Sequence, residues 1–198
     1  MTDMAATWQR IEDWLGENAP EIAKSLRPGA SNEKIRATER TLGLSFPDDF
    51  CDSYRCHDGQ ETNAFGVTVC GGFVEGGDFL SLTSITDHWQ GWKGVLDAGT
   101  FEGIQSYPGP GVRSDWWNPR WIPITHDGGG NHFCLDLDPA PGGKMGQIIT
   151  MWHDEGERVV VADSFRDWLT RLADEYEAGE WVYSEEDGGV VPWGDVND

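Results

Sequence analysis

The amino-acid sequence predicts a single α+β domain in which helices come first, strands follow and another helix closes the fold. Three observations predict this class. The chain has 198 residues, which is enough for one domain with a buried core but little for two. Apolar side chains recur at helical spacing before residue 60 and again after residue 163. Between residues 120 and 163, short apolar runs are separated by turn residues, as in a sheet.

Three helices are predicted before residue 60. One face of the first helix carries apolar side chains at helical spacing, namely Trp8, Ile11 and Leu15. The second helix is expected to begin after Ser31, whose hydroxyl can cap the first turn, and to end at Gly43. The third helix is expected to have Pro47 at its first position and to stop at Gly59.

The middle of the chain is predicted to form one helix and most of the strands. Glycines interrupt two segments that predict weak strands or loops, residues 65–69 and 71–80. A helix is expected over residues 84–99, followed by a loop over residues 102–120. The strand candidates are residues 120–124, 132–137, 146–153 and 158–163.

The last predicted helix begins after Ser164, which has capping-box spacing to Asp167. It carries a wide apolar stripe consisting of Phe165, Trp168, Leu169, Leu172 and Tyr176. We therefore assign residues 1–178 to one α+β domain. Residues 179–198 are acidic and are expected to form a tail or an extra strand.

The charge of the chain bears on its partners. It has 35 acidic against 14 basic residues and a formal net charge of −21. Binding of nucleic acid or of an anionic membrane surface requires clustered Lys and Arg, so neither partner is expected. The charge has two interpretations, solubility or a basic protein partner. No apolar run has the length of a membrane span and no export signal is visible, so a cytoplasmic location is expected.

Residues 126–139 concentrate two histidines, a cysteine, three aspartates and three consecutive glycines. A metal site is disfavoured, because His126 and His132 lack a third ligand at diagnostic spacing and the aspartates do not follow the EF-hand pattern. A phosphate loop is disfavoured, because the glycines lead into a predicted strand rather than a helix. The pattern favours a turn between strands, held by side chain-to-backbone hydrogen bonds of Asp127 and Asn131.

No motif identifies a catalytic group. Two carboxylates across a Trp-lined cleft would suit glycoside hydrolysis, and the chain is rich in both residue types, so composition leaves this alternative open. The Gly-x-Ser-x-Gly elbow is absent. His132 and Cys134 share a predicted strand face without an orienting third group. No cofactor is predicted, and the cysteines, which form no Cys-x-x-Cys pair, are expected to be free thiols.

The segments "GASNEKIRATERTLGLSFPDDFCDSYRCHDGQ", "WNPRWIPITHDGGGNHFCLDLDPAPGGKMGQIITMWHD" and "VADSFRDWL", in this order and spacing, resemble the SUKH superfamily. That group includes fungal cell-wall-assembly regulators and many bacterial immunity proteins. The residues that match its motifs are Ile35, Glu39, Pro47, Gly59, Trp121, Asp127, Gly130, Asn131, Asp136, Asp138, Pro139, Gly146, Phe165 and Trp168. The resemblance implies a mixed, largely antiparallel sheet flanked by helices, a non-catalytic protein-binding module and a mainly structural role for these residues.

Resemblance and charge together lead to the main hypothesis, an immunity protein that neutralises a basic toxin, expected to be a nuclease of a bacterial polymorphic toxin system. Complementary charge would speed association with such a partner. The alternatives are an intracellular regulatory adaptor of the cell-wall assembly regulator type and an enzyme acting on a carbohydrate or cationic substrate.

The acidic and aromatic residues expected to contact the partner lie between the predicted third helix and the sheet. They are Glu75, Asp78, Asp87, Trp92, Asp97, Glu102, Trp116 and Trp117. Trp116 and Trp117 lie in a loop rich in Pro and Gly, so we expect both to be exposed. Trp89, in contrast, is expected to pack in the core.

Overall fold

The computed structural model describes residues 3–62, 68, 70–75 and 77–196. Its α-helices are α1 (Met4–Asn18), α2 (Pro20–Ser25), α3 (Asn32–Leu42), α4 (Asp48–Cys56), α5 (Leu82–Asp97) and α6 (Phe165–Glu177). Its strands are β1 (Leu26–Pro28), β2 (His57–Gln60), β3 (Asp78–Phe79), β4 (Tyr107–Pro108), β5 (Trp121–Pro123), β6 (Thr125–His126), β7 (His132–Asp136), β8 (Gln147–Met151), β9 (Glu157–Arg158), β10 (Val160–Ala162), β11 (Trp181–Ser184) and β12 (Gly189–Pro192). The weak strand predicted at residues 65–69 lies, apart from Thr68, outside the described residues.

An antiparallel sheet with the strand order β10-β8-β7-β5 forms the centre of the fold. Cys134 in β7 lies opposite Ile149 in β8 and Pro123 in β5. The pairs β1–β2, β3–β6 and β11–β12 are also antiparallel, whereas β4 and β9 pair in parallel. The predicted α+β class with a mixed, largely antiparallel sheet and a C-terminal helix is therefore confirmed.

Alternate side chains of the central sheet enter two separate apolar cores. Phe133 and Leu135 in β7 join the larger core, to which α1, α3, α4 and α6 contribute. Cys134, between them, joins a smaller core with Trp117 and Trp121, against which α5 packs. This alternation is the two-residue period of a strand. Every residue of β7 and β8 is buried because both faces of the sheet are covered, which explains why apolar side chains occupy successive positions within these strands.

The helix ends follow local capping rules. The hydroxyls of Ser31 and Ser164 each accept a backbone N–H bond in the first turn, and Gly43 adopts a positive φ of 69° at the end of α3, all as predicted. Helix α4 begins at Asp48, so Pro47 occupies the position before the helix rather than its first position. No helix among the described residues combines the length and the apolar character needed to cross a bilayer.

Strand β2 carries buried polar side chains that connect several elements. The Asp58 carboxylate accepts a hydrogen bond from Leu82 N at 2.9 Å and pairs with Lys34 Nζ at 2.5 Å. Gln60 Oε1 accepts a hydrogen bond from Phe79 N at 3.0 Å. Because buried polar groups are costly when unpaired, these bonds tie β2 to α3, to the first residue of α5 and to β3.

The prediction that Gly59 ends α4 is wrong. The helix ends at Cys56, and Gly59 lies inside β2 with a φ of 73°. A Cβ atom at this position would lie 2.3 Å from Ser81 N, so the backbone that leads into α5 passes directly over the glycine. The residue is needed for this close approach and for its left-handed backbone, which is a tertiary reason.

The acidic C-terminal segment contains a hairpin. Trp181 in β11 lies opposite Pro192 in β12. The Trp181 side chain is buried, and its indole Nε1 donates a hydrogen bond to Glu175 Oε2 on α6 at 3.0 Å. Val190 N donates to Gly72 O at 3.0 Å, which attaches the hairpin to the glycine-rich segment before β3. The division of the chain after residue 178 stays a prediction.

Replacing Gly59 with alanine should lower the free energy of unfolding by at least about 2 kcal/mol, because the new Cβ meets backbone and φ is unfavourable for alanine. Gly43→Ala is the matched control, since Gly43 has a similar φ with open space around it, and it should cost about 1 kcal/mol. Urea denaturation of both variants measures the difference. Equal losses would contradict the role assigned to the close approach.

Candidate functional site

The structure distributes the predicted partner residues over separate places. Two of them, Glu75 and Asp78, line a groove beside the C-terminal hairpin. Asp87 and Trp92 line a shallow depression on α5 with a volume of about 460 Å³. The others lie at the end of α5 and in the following loop, namely Asp97, Glu102, Trp116 and Trp117. The eight residues therefore do not form one continuous site.

The groove that contains Glu75 and Asp78 has a volume of about 640 Å³ and lies between the β3–β6 pair and the β11–β12 hairpin. Asp127 and Asp187 also line it, so separate segments of the chain bring four carboxyl groups to one place. We call this the acidic groove. Much of its wall is glycine, at residues 71, 72, 77, 128, 188 and 189, and the glycines at 71, 72 and 77 pack closely against other backbone.

Hydrogen bonds orient the carboxylates of the acidic groove. Asp78 Oδ1 accepts from Thr68 Oγ1 at 2.6 Å, and Asp187 Oδ2 accepts from Ser184 Oγ at 2.6 Å. Glu75 lies 3.7 Å from a guanidinium nitrogen of Arg171. The ion pairs found among the described residues include none to the three aspartates of the groove. The groove therefore presents uncompensated negative charge, which favours a cationic ligand.

The Asp127 side chain closes the turn between β6 and β7. Its Oδ1 accepts backbone N–H bonds from Gly129, Gly130 and Asn131 at 2.7–3.0 Å, and its Oδ2 accepts from Asn131 Nδ2 at 2.7 Å. Partial burial opposes ionisation, but these hydrogen bonds outweigh it and hold the pKa of Asp127 below its ordinary value. Asn131 Oδ1 in turn accepts from His153 N at 2.9 Å. The glycine stretch is thus a turn that closes around the Asp127 carboxylate at the wall of the groove.

Three histidines meet behind the groove. The His126 ring lies 4.4 Å from His88 and 5.3 Å from His132, measured between centroids. His132 Nδ1 donates to Thr125 O at 2.5 Å, and its Nε2 accepts from Trp92 Nε1 at 3.1 Å, so both ring nitrogens are occupied. Burial, with a smaller contribution from the neighbouring His126, lowers the pKa of His132 to about 3 and that of His88 to about 4. Both rings are therefore neutral at pH 7.

This histidine cluster is not arranged as a metal centre. Over the described part of the chain, no three His, Cys, Asp or Glu side chains are grouped so that they could hold a metal ion. Because His132 already donates and accepts hydrogen bonds, its lone pair is committed to Trp92. The cluster instead fixes the inner side of α5 against the sheet.

The expected exposure of Trp117 is wrong. Its side chain is only 2% exposed and packs between Trp89 and Trp92, with ring centroids 6.3 and 6.4 Å away. The loop over residues 102–120 folds back onto the outer face of the sheet, and this long-range packing covers the indole. Trp116 is half-buried, and the Arg158 guanidinium lies 5.3 Å from its ring centroid. Trp89 and Trp92 are half-buried against the smaller core.

The residues that carry the family motif take part in internal contacts. Glu39 Oε1 accepts from Phe46 N at 2.8 Å, and Gly146, with a φ of 85°, lies against Pro47. Asp138 pairs with Arg113 at 2.7 Å. Buried apolar motif residues are Ile35, Trp121, Phe165 and Trp168, and Pro139 is half-buried.

The buried Asp136 carboxylate is the polar centre of this motif. It accepts from Gln147 Nε2 at 2.8 Å and from Asp138 N at 2.9 Å. Burial raises the pKa of Asp136, and the two hydrogen bonds limit that rise. Burial also raises the pKa of the neighbouring Cys134 thiol, which keeps it protonated. The free thiols predicted from the sequence are confirmed, because all four cysteines are unpaired.

Sequence reasoning placed Asp127 in a turn and Asp187 in a tail, and it assigned neither to the partner surface. Residues 78, 127 and 187 meet only through the pairing of β3 with β6 and the docking of the hairpin. The sequence carried one usable signal, since each of these aspartates has a glycine as a chain neighbour. That pattern indicates turns at which an acidic side chain and bare backbone are exposed together.

Comparison with known proteins gives the following relatives. A model of the SMI1 / KNR4 family (SUKH-1) matches residues 29–171. The cell wall biosynthesis/cell cycle regulator smi1 of Schizosaccharomyces pombe is 29% identical over 94% of this chain and 39% of its own length. The cell wall assembly regulator SMI1 of Saccharomyces cerevisiae is 27% identical over 91% of this chain and 42% of its own length. The glucan synthesis regulatory protein of Neurospora crassa is 25% identical over 92% of this chain and 40% of its own length. The chain thus spans about two fifths of the length of these relatives.

The Asp127→Asn substitution should destabilise the fold by about 1 kcal/mol at pH 7, because it removes charge-assisted bonds at a partly exposed turn. The folded-state pKa of Asp127 is depressed, so its contribution is complete above the unfolded-state value of about 3.9 and is lost as pH falls through the folded-state value. Thermal unfolding at a series of pH values should show the variant and the parent converging below about pH 4.

Glu102→Gln removes the same charge at an exposed position and serves as the control for Asp127→Asn. It should leave the free energy of unfolding within about 0.5 kcal/mol of the parent. A loss for Asp127→Asn that persists unchanged at acid pH would refute the assigned role of the ionised carboxylate.

Proposed function

The chain belongs to the SMI1/KNR4 family (SUKH-1), and from this membership we propose that it is a regulatory protein that acts by binding other proteins. The observation that carries the proposal is the acidic groove, in which Asp78, Asp127 and Asp187 line the wall and form no ion pair within the described part of the chain. We propose that this groove receives a segment rich in Lys and Arg from the partner. The relatives are named as regulators of cell wall assembly and glucan synthesis, and these names support the regulatory role.

The physical argument rests on charge, at long and at close range. A net charge of −21 attracts a cationic partner over distances longer than any contact. At close range, the carboxylates can pair with ammonium or guanidinium groups. Three carboxylates of the groove form no ion pair within the described structure, so a segment with several cationic side chains can pair with more than one of them. Together these features suit a flexible basic segment better than a compact small molecule.

The burial of three titratable groups near the central sheet argues against a catalytic role for those groups. His132, Cys134 and Asp136 are fully buried, and the histidine and the aspartate are engaged in internal hydrogen bonds. Catalytic groups with shifted pKa values are expected where a substrate can reach them. These three groups, whose pKa values are shifted, instead lie inside the fold, out of reach of a substrate.

A second candidate function is that of an immunity protein which neutralises a basic toxin, such as a nuclease. The high negative charge favours it, because carboxylates would occupy the surface that the toxin uses for phosphate. The regulators among the relatives favour the adaptor instead. Both functions would use the acidic groove and differ in what the partner does.

We expect that removing two groove charges, with Asp78→Asn and Asp187→Asn together, weakens binding of a labelled oligo-arginine probe about tenfold, because two ion pairs in a partly screened site are lost. Fluorescence polarisation at low and at moderate salt measures the dissociation constant. The matched control is Asp97→Asn with Glu102→Gln, which leaves the same net charge but changes α5 and its following turn. Equal weakening by both pairs of substitutions would show that the groove has no special role.

Affinity capture separates the two candidate functions. The tagged chain and its groove variant are incubated with lysate of the cells that produce it, and retained proteins are identified by mass spectrometry. A groove-dependent partner that is harmless when expressed alone fits the adaptor. A groove-dependent partner that stops growth when expressed alone fits the immunity protein and overturns the regulatory proposal.

A further inference from the structure

The distribution of cationic side chains in this acidic chain is uneven. The chain has 14 Lys and Arg residues, and most of them lie within 4.0 Å of a carboxylate oxygen. Within the described residues, those outside such pairs are Arg27, Arg36, Arg40, Arg120 and Arg158. In a chain with so large an excess of acids, an arginine without a carboxylate partner is unexpected on statistical and energetic grounds.

Three of these arginines line one groove. Arg36 and Arg40 lie on α3, one helical turn apart, and Arg120 directly precedes β5. The groove has a volume of about 640 Å³ and shares no lining residue with the acidic groove. We call it the arginine groove. Its remaining wall is partly apolar and includes Leu44 and Met145, whose side chain is 63% exposed.

The cations of the arginine groove are available to a ligand. All three arginine residues are exposed, and the one hydrogen bond found for the Arg120 side chain among the described residues is a long one of 3.3 Å from Nη1 to Leu137 O. The one carboxylate in the wall belongs to Glu39, whose Oε1 accepts a hydrogen bond from Phe46 N at 2.8 Å. Among the described residues, the Glu39 carboxylate forms no ion pair with Arg36, Arg40 or Arg120, so it lies more than 4.0 Å from their guanidinium nitrogens. The groove therefore has a local positive excess.

We propose that the arginine groove binds a short acidic segment of a partner protein. Carboxylates of the segment pair with the guanidiniums of Arg36, Arg40 and Arg120, which suit planar, bidentate recognition of carboxylate. An apolar side chain of the segment packs on Leu44 and Met145. The chain would then bind a cationic segment at one groove and an anionic segment at another.

The composition of the groove selects this occupant. A second copy of the chain would bring another net charge of −21, and the two copies would repel each other. A nucleic acid would meet the same long-range repulsion. A phosphate group would place its double charge beside Glu39, whereas carboxylates spaced along a peptide can contact the arginines separately. Exposed Met145 adds an apolar contact that a headgroup or free anion would not use.

The test uses the full chain and a labelled peptide in which glutamates alternate with leucines, followed by fluorescence polarisation at about 0.15 M salt, where the Debye length is about 8 Å and the distant acids are screened. We expect Arg36→Gln with Arg40→Gln to weaken binding about tenfold. Both positions are exposed on α3 and glutamine is a good helix former, so the fold is retained. The matched control is Lys24→Gln with Lys93→Gln, which gives the same net charge and should change binding less than twofold.

Two further measurements complete the test. Replacing the leucines of the peptide with alanine, or Met145 with serine, should weaken binding about threefold without changing its salt dependence. The Arg36/Arg40 variant should still bind the oligo-arginine probe, which separates this proposal from that of the acidic groove. No binding of the acidic peptide, equal loss in the lysine control, or binding only when the peptide carries phosphoserine would overturn the proposal.

Discussion

The buried polar pairing of strand β2 is the constraint on which the arrangement of the larger core depends. Asp58 must satisfy Lys34 on α3 and the first amide of α5, while Gln60 must satisfy the backbone of β3. Each of these partners belongs to a different element, and an unpaired buried carboxylate or amide would cost several kcal/mol. Helices α3 and α5 and strand β3 can therefore take their positions only together, with Gly59 allowing the close approach between them.

This arrangement explains why the motif residues are structural. The central sheet has both faces covered, with the tryptophan-rich core on one side and the larger core on the other, and α5 packs against both cores. Polar motif residues such as Asp136 and Asn131 form hydrogen bonds within turns and between strands. Surfaces that remain free to bind are at the periphery, where glycine turns and short strands meet.

The two grooves follow one electrostatic principle with opposite signs. In each, charged side chains mostly of one sign come together, most of them without an ion pair, and the expected partner carries the opposite charge. The acidic groove is reinforced by the net charge, whereas the arginine groove acts against it and is effective only within a Debye length. The two proposals together describe a regulator that binds two segments of opposite charge.

The sequence by itself determined helices α1, α3, α5 and α6, the caps at Ser31, Gly43 and Ser164, the strands of the central sheet and the turn at residues 127–131, because these depend on neighbours within a few positions. It also determined the family and the charge that disfavours nucleic acid. Only the tertiary structure decided that Gly59 serves a close approach, that Trp117 is buried and that Asp78, Asp127 and Asp187 share a groove. These outcomes depend on how distant segments pack, and the physical reason is that burial and charge convergence are properties of the packed chain, not of any local pattern.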